Sequence, residues 1–245
     1  MEISFRLALS VALFAALSAA NPYDTPIAAL AMTAPTNSIT PIPSSSVPTN
    51  AGDVSITIRI TNLYGTQLSL AFSVNTSTPS PATVLPNAVS TQYTFPTGWA
   101  GRIIVGLNSN NWSSKIEGSY IDSLYDIDVS YVDGYTVPIT CSSQGVAVTG
   151  CNIELFDQPV WLCDDIMNLP NGRLCHNSMQ NFADGPPPCF FAACKGAAYT
   201  YPTDDGANRS QLGSNLVSCC IGTSCDAPIR QPGLGNHTIK CVTFA

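Results

Sequence analysis

The stretch Asp53–Asn62, DVSITIRITN, decides the class of fold. Val54, Ile56, Ile58 and Ile60 alternate with Ser55, Thr57, Arg59 and Thr61, so one face of the segment is apolar and the other polar. That period of two belongs to a half-buried strand; on a helix the apolar residues would fall on opposite sides of the axis. Leu68, Leu70, Phe72 and Val74 repeat the alternation beyond a turn at Tyr64-Gly65. Further out, Gln92–Phe95, Arg102–Leu107, Lys115–Tyr120 and Ile127–Val132 read as strands separated by Pro, Gly, Asn and Ser. Short strands at this spacing, with no long amphipathic helix among them, predict a mainly β protein built as an antiparallel sandwich or barrel.

The C-terminal half carries a different signal. All ten cysteines lie there: Cys141, Cys151, Cys163, Cys175, Cys189, Cys194, Cys219, Cys220, Cys225 and Cys241. An even number in an exported chain implies disulfides, so the expected picture is a β-sandwich followed by a disulfide-rich loop lobe. Cys219 and Cys220 are expected to bond to different partners, because adjacent residues strain the bridge; the rest of the connectivity stays open. Two histidines and no paired Cys-x-x-Cys leave neither a metal nor a cofactor expected.

Export itself is legible at the N-terminus. Arg6 precedes an apolar run, Leu7 to Leu17, and small residues Ser18-Ala19-Ala20 follow. Residues 1–20 therefore read as a signal peptide, too short in their apolar part to span a bilayer. Residues 21–51 are a linker rich in Pro, Ser and Thr, and residues 52–245 form the folded domain. No later run reaches membrane length, so a secreted, extracellular monomer without a transmembrane segment is expected. Sequons at Asn75, Asn111, Asn208 and Asn236 agree with export and mark candidate glycosylation sites.

Charge narrows the partners. Over 245 residues only 10% are charged, and nine basic against sixteen acidic residues give a net charge of −7. Nucleic acid and anionic membrane surfaces need a basic footprint, which is lacking. Five carboxylates, Glu117, Asp122, Asp126, Asp128 and Asp133, crowd the segment EGSYIDSLYDIDVSYVD with no basic residue between them. On a strand, Ile127, Val129 and Tyr131 share one face while Asp126, Asp128 and Ser130 share the other. Crowded carboxylates raise one another's pKa, and a carboxyl pair is what glycoside hydrolysis uses. A solvated acidic face is the competing reading. Nucleophile-elbow, dinucleotide and phosphate-loop motifs are absent, and neither His176 nor His237 has an evident nucleophile partner.

Tyr125–Cys141, YDIDVSYVDGYTVPITC, resembles the thaumatin-like family, also called osmotin-like or pathogenesis-related 5. Val54–Asn62, Gly98-Trp-Ala-Gly-Arg-Ile103, Ala198-Tyr-Thr-Tyr-Pro-Thr-Asp-Asp205 and the Cys219-Cys220-x4-Cys225 pattern resemble further family segments in the family's order. The resemblance covers about residues 52–241 and implies an antiparallel β-sandwich, thaumatin-like, with a disulfide-rich loop lobe. It also implies an acidic cleft formed by Arg102, Glu117, Asp128, Asp133 and Asp205. Spacing alone would not prefer Asp128 over Asp126, and Asp133 shares the face of Asp128 only if the Asp133-Gly134 turn re-aims it. The family's cysteines near Leu63 and around Ile104–Leu107 are missing, so Cys241 needs a partner other than the family's. The linker and the Val-Asp-Gly-Tyr-Thr-Val-Pro variant resemble a fungal member.

From this resemblance three functions follow as expectations. The first is a weak endo-β-1,3-glucanase in which Glu117 protonates the leaving oxygen while Asp128 or Asp133 activates water or attacks the sugar. The second is a module that binds β-glucan or another cell-wall polysaccharide, Arg102 and Asp205 bonding hydroxyls and Tyr131, Tyr135 or Tyr120 stacking on rings. The third is an interaction protein acting on a host, competitor or membrane target. Binding with weak hydrolysis is the favoured expectation.

Overall fold

The computed structural model describes residues 55–74, 78–108, 110–121, 124–159, 162–183, 185–210, 212–227 and Cys241; the expected signal peptide and linker lie outside them. The strands run β1 (Ser55–Asn62), β2 (Leu68–Val74), β3 (Thr83–Leu85), β4 (Ser90–Pro96), β5 (Trp99–Gly106), β6 (Ser114–Ile121) and β7 (Leu124–Ser130). They continue with β8 (Gly134–Tyr135), β9 (Ile139–Ser143), β10 (Val146–Cys151), β11 (Asp165–Leu169), β12 (Gly172–His176), β13 (Arg209–Ser210) and β14 (Leu216–Ile221).

Three sheets result. A six-stranded sheet runs β13-β7-β6-β5-β2-β3, a five-stranded sheet runs β10-β9-β14-β1-β4, and β11-β12-β8 form a small third. Pairing is antiparallel throughout the named strands except for β1 beside β14. The two large sheets meet over one apolar core. The alternation in β1 supplies Ile56, Ile58 and Ile60, and the facing sheet supplies Ile103, Val105, Ile116, Ile127 and Val129. Phe72 of β2 meets Tyr93 of β4 edge-on at 4.4 Å, and Phe95 stacks on Trp99 at 4.1 Å. Burying such side chains contributes roughly 1.5–3 kcal/mol each.

The second half is less loop-like than its composition suggested. It contributes β9, β10 and β14 to the five-stranded sheet and the hairpin β11–β12 to the third. Cysteines and short alternations hide these strands. In β14, Val217, Cys219 and Ile221 point to the core and Leu216, Ser218 and Cys220 away from it. Neighbouring cysteines therefore face opposite ways and cannot share a partner. Cys219 bonds to Cys141 and Cys220 to Cys225; Cys151–Cys194, Cys163–Cys175 and Cys189–Cys241 complete five disulfides using all ten cysteines. Cys189 is the partner that Cys241 required.

Candidate functional site

The face of the six-stranded sheet that does not join the core carries the polar rows. Register places Ser73, Arg102, Glu117 and Asp128 directly opposite one another across β2, β5, β6 and β7. Two residues along, the next row is Ala71, Ile104, Lys115 and Ser130. Alternation alone produces this sorting. Ile103, Ile116 and Val129 enter the core, so their neighbours Arg102, Glu117 and Asp128 stand on the other face.

A cleft of about 290 Å³ opens over these rows, lined by Arg102, Glu117, Asp128, Ser130, Val132, Asp133, Tyr199 and Pro202. Strand β7 ends at Ser130, and the chain beyond it brings Asp133 to the same cleft. The turn thus re-aims Asp133 as required. Gly134 permits this approach, because a Cβ there would lie 2.7 Å from the Cys175 carbonyl and closer still to that of Trp112. The opposite wall is the segment carrying Tyr199, bridged to β7 by Tyr131 N–H to the Tyr199 carbonyl and Tyr199 N–H to the Val129 carbonyl, both at 2.8 Å.

Two buried polar residues hold the walls. Asn177 donates through Nδ2 to the carbonyls of Tyr131 (2.9 Å) and Thr200 (2.8 Å), and its own N–H donates to the Asp133 carbonyl at 3.2 Å. Asp204 accepts from Thr200 Oγ1 at 2.7 Å and from the Gly196 amide, closing the loop behind Tyr199. Asp205 does not line the cleft itself. It stands behind Tyr199, whose hydroxyl donates to its Oδ1 at 3.3 Å.

Asp126 and Asp128 separate in the fold. Asp126 accepts from Asn208 Nδ2 at 3.0 Å and lies outside the cleft, whereas Asp128 is in its lining. Burial, then Glu117 opposite, then Asp126 hold the Asp128 carboxyl well above the usual carboxylate range. Burial thus shifts the Asp128 carboxyl toward its protonated form. Arg102 lines the cleft, and its Nε–H is buried without a hydrogen-bond partner. Burial, with Asp128 and Asp205 nearby, pushes the Tyr199 hydroxyl up, so it remains a donor.

The stacking aromatics need correction. Tyr131 and Tyr135 are 0% exposed and pack edge-on to each other in the core. Tyr131 Oη donates to the Cys151 carbonyl, and Tyr135 Oη to the Ile153 carbonyl and to Glu154. Alternation sends Tyr131 inward with Ile127 and Val129, so neither tyrosine can touch a cleft ligand; Tyr120 is buried as well. The aromatic that does line the cleft is Tyr199, which sits in the Ala198–Asp205 segment but has no strand periodicity to single it out. Lys115, too, was missed as a site residue. It shares the face of Glu117 by the same step of two, and it ion-pairs with Asp133 beneath the cleft.

Of the sequons, Asn111 is exposed, while the Asn208 amide is half-buried and bonded to Asp126, a packing that a glycan on Nδ2 would disrupt. Asn75 and Asn236 lie outside the described residues. A wider, shallow groove of about 710 Å³ on the outer face of the five-stranded sheet is lined by Ser55, Thr57, Arg59, Gln92, Ser214, Asn215 and Leu216, without a carboxylate. Among the described residues no three His, Cys, Asp or Glu side chains gather in a metal-binding group, and no helix is long and apolar enough to cross a membrane.

No family model matches the chain, and no curated protein matches it in sequence. Among solved structures it is similar to the thaumatin-like xylanase inhibitor TLXI, with 15% identity, 67% of this chain and 97% of that one covered, and a TM-score of 0.31. It is also similar to the protein elicitor MoHrip2 from Magnaporthe oryzae, with 14% identity, 37% of this chain and 71% of that one covered, and a TM-score of 0.30. The described residues form two large β-sheets stapled by five disulfides, the mainly β, disulfide-rich arrangement the sequence implied.

Proposed function

We propose that this chain is a secreted thaumatin-like protein that binds β-glucan or another neutral cell-wall polysaccharide in the cleft, acting as a monomer. The observation that carries the reading is the row Arg102–Glu117–Asp128 on one sheet face. It sets a guanidinium beside two carboxyls, one of which, Asp128, burial shifts toward its protonated form. Hydroxyl-rich chains need such alternating donors and acceptors, and Tyr199 offers an aromatic surface at the wall. Asp133 supplies a further acceptor, and Asp205 braces Tyr199. Five disulfides suit a chain that works outside the cell, with Asn111 as its accessible sequon.

The upward shift of the Asp128 carboxyl also favours a second activity, weak endo-β-1,3-glucan hydrolysis. Asp128 would donate the proton to the leaving oxygen, and Asp133 or Glu117 would activate water or attack the anomeric carbon. The test is incubation of purified protein with insoluble linear β-1,3-glucan, measuring both pull-down and new reducing ends, alongside Asp128→Asn and Glu117→Gln. Binding without sugar release removes the enzymatic reading, and release that survives Asp128→Asn removes Asp128 as the acid. No binding by the unmodified protein overturns the polysaccharide reading and leaves an interaction protein.

A further inference from the structure

Lys115 is 1% exposed, yet it sits one row from the cleft floor. Its neighbours across the sheet are Ile104, which is fully buried, and Ser130. Its ammonium reaches Asp133 Oδ2 as an ion pair. Asp133 is itself 32% exposed and lines the cleft. Taking an ammonium out of water costs several kcal/mol, and an apolar side chain of similar volume often leaves a fold as stable or more so. Packing is thus a poor reason for a lysine here. What only a cation does at this position is hold the carboxylate that the turn after β7 brings round.

We propose that Lys115 is the positioning residue of the cleft: its buried ammonium anchors Asp133 through Oδ2 from below, keeping that carboxylate charged and leaving Oδ1 to accept from a ligand hydroxyl. The groups facing Lys115 are Asp133 beyond β7, Arg102 on β5 and Glu117 on its own strand. Burial pushes the ammonium down to about 8, Glu117 draws it up and Arg102 opposes it. Below about pH 8 the ammonium is charged, so it can anchor Asp133 at neutral pH.

The ligand in this inference rests on the polysaccharide reading; the Lys115–Asp133 coupling does not. Two measurements keep them apart. The first, without ligand, follows the Asp133 carboxyl carbon by NMR through an acid titration in the unmodified protein, Lys115→Met and Lys115→Arg. Asp133 should stay ionised to lower pH in the unmodified protein than in Lys115→Met, and Lys115→Arg should restore the behaviour. The same titration in all three overturns the proposal. The second measures the affinity for soluble linear β-1,3-glucan of Lys115→Met, Asp133→Asn and the double variant. Each single change should weaken binding about tenfold, and the double no further, because both remove one acceptor. Additive losses overturn the proposal. If the unmodified protein does not bind glucan, the polysaccharide reading fails while the NMR titration still decides the coupling. If Lys115→Met does not fold, the ammonium is structural and the proposal falls.

Discussion

Replacing Lys115 by Met should reveal the cost of its burial as a pH-dependent gain in stability. In the fold the ammonium is lowered from 10.5 to about 8, chiefly by desolvation, and with 1% exposure little solvent screening reduces the effect. Below pH 8 the lysine is charged in both states, and the folded protein bears the whole penalty, about 3 kcal/mol at 1.36 kcal/mol per unit. Between about 8 and 10.5 the folded lysine loses its proton while the unfolded one keeps it. The unfolded state then binds more protons, so stability rises with pH through this window, and above it the penalty is gone. Attraction to Asp133 returns part of the cost. Lys115→Met should therefore be as stable as the unmodified protein at pH 7, or more stable by up to about 3 kcal/mol. The difference should shrink as pH climbs past 8. Urea unfolding of both proteins, disulfides intact, from about pH 6 to about pH 9.5 gives the comparison. A variant several kcal/mol less stable at pH 7, with a gap indifferent to pH, would show that the ammonium is a net structural asset and refute the reasoning.

Asp128→Asn should flatten the acid limb of the stability curve. The unfolded carboxyl ionises before the folded one, so in the unmodified protein stability falls as pH rises between the two values, by up to about 1.4 kcal/mol per pH unit; equal slopes in thermal melts of both proteins would count against a protonated Asp128. Asn177→Ala should cost about 2–4 kcal/mol, since it strips donors from two buried carbonyls and an acceptor from the Met179 amide, and glucan pull-down should weaken as the two walls part. Gly134→Ala should cost about 1–3 kcal/mol in urea unfolding, because its Cβ would press on the carbonyls of Cys175 and Trp112. A freely tolerated alanine there would mean that the Asp133 turn has another way round.

Period-two reading is cleanest in β1, where Ile56, Ile58 and Ile60 are buried and their neighbours are not, a contrast that hydropathy records directly. The same rule correctly put Ile127, Val129 and Tyr131 on one face, and then exposed its own conflict with the aromatic assignment, since Tyr131 could not be both core and cleft. Strands β9, β10 and β14 are short, and their cysteines read as disulfide positions rather than as the apolar half of an alternation. Of the site, Arg102, Glu117, Asp128 and Asp133 converge, and only register, a property of pairing between distant segments, sets them opposite one another. Tyr199 arrives on a loop held by Asp204 and Asn177, and loop placement has no periodic trace in sequence.

Which carboxyl holds a proton is a question of a different kind. Asp126 and Asp128 lie two residues apart on one strand face, so spacing along the chain could not rank them. Burial can. The lobe segment carrying Tyr199 and Pro202 covers Asp128, at the β7 end of the row, while Asp126, two residues back, meets Asn208 and its hydrogen bond instead. Desolvation therefore leads the causes that raise Asp128, and the neighbouring carboxylates add to it. Lys115, also buried, gives its ion pair with Asp133 a low-dielectric setting, where a charge fixes a partner more firmly than it would in water. The segment carrying Tyr199 and Pro202 thus acts on the cleft without supplying its charged row: by covering one edge of a polar sheet face, it distinguishes Asp128 from Asp126.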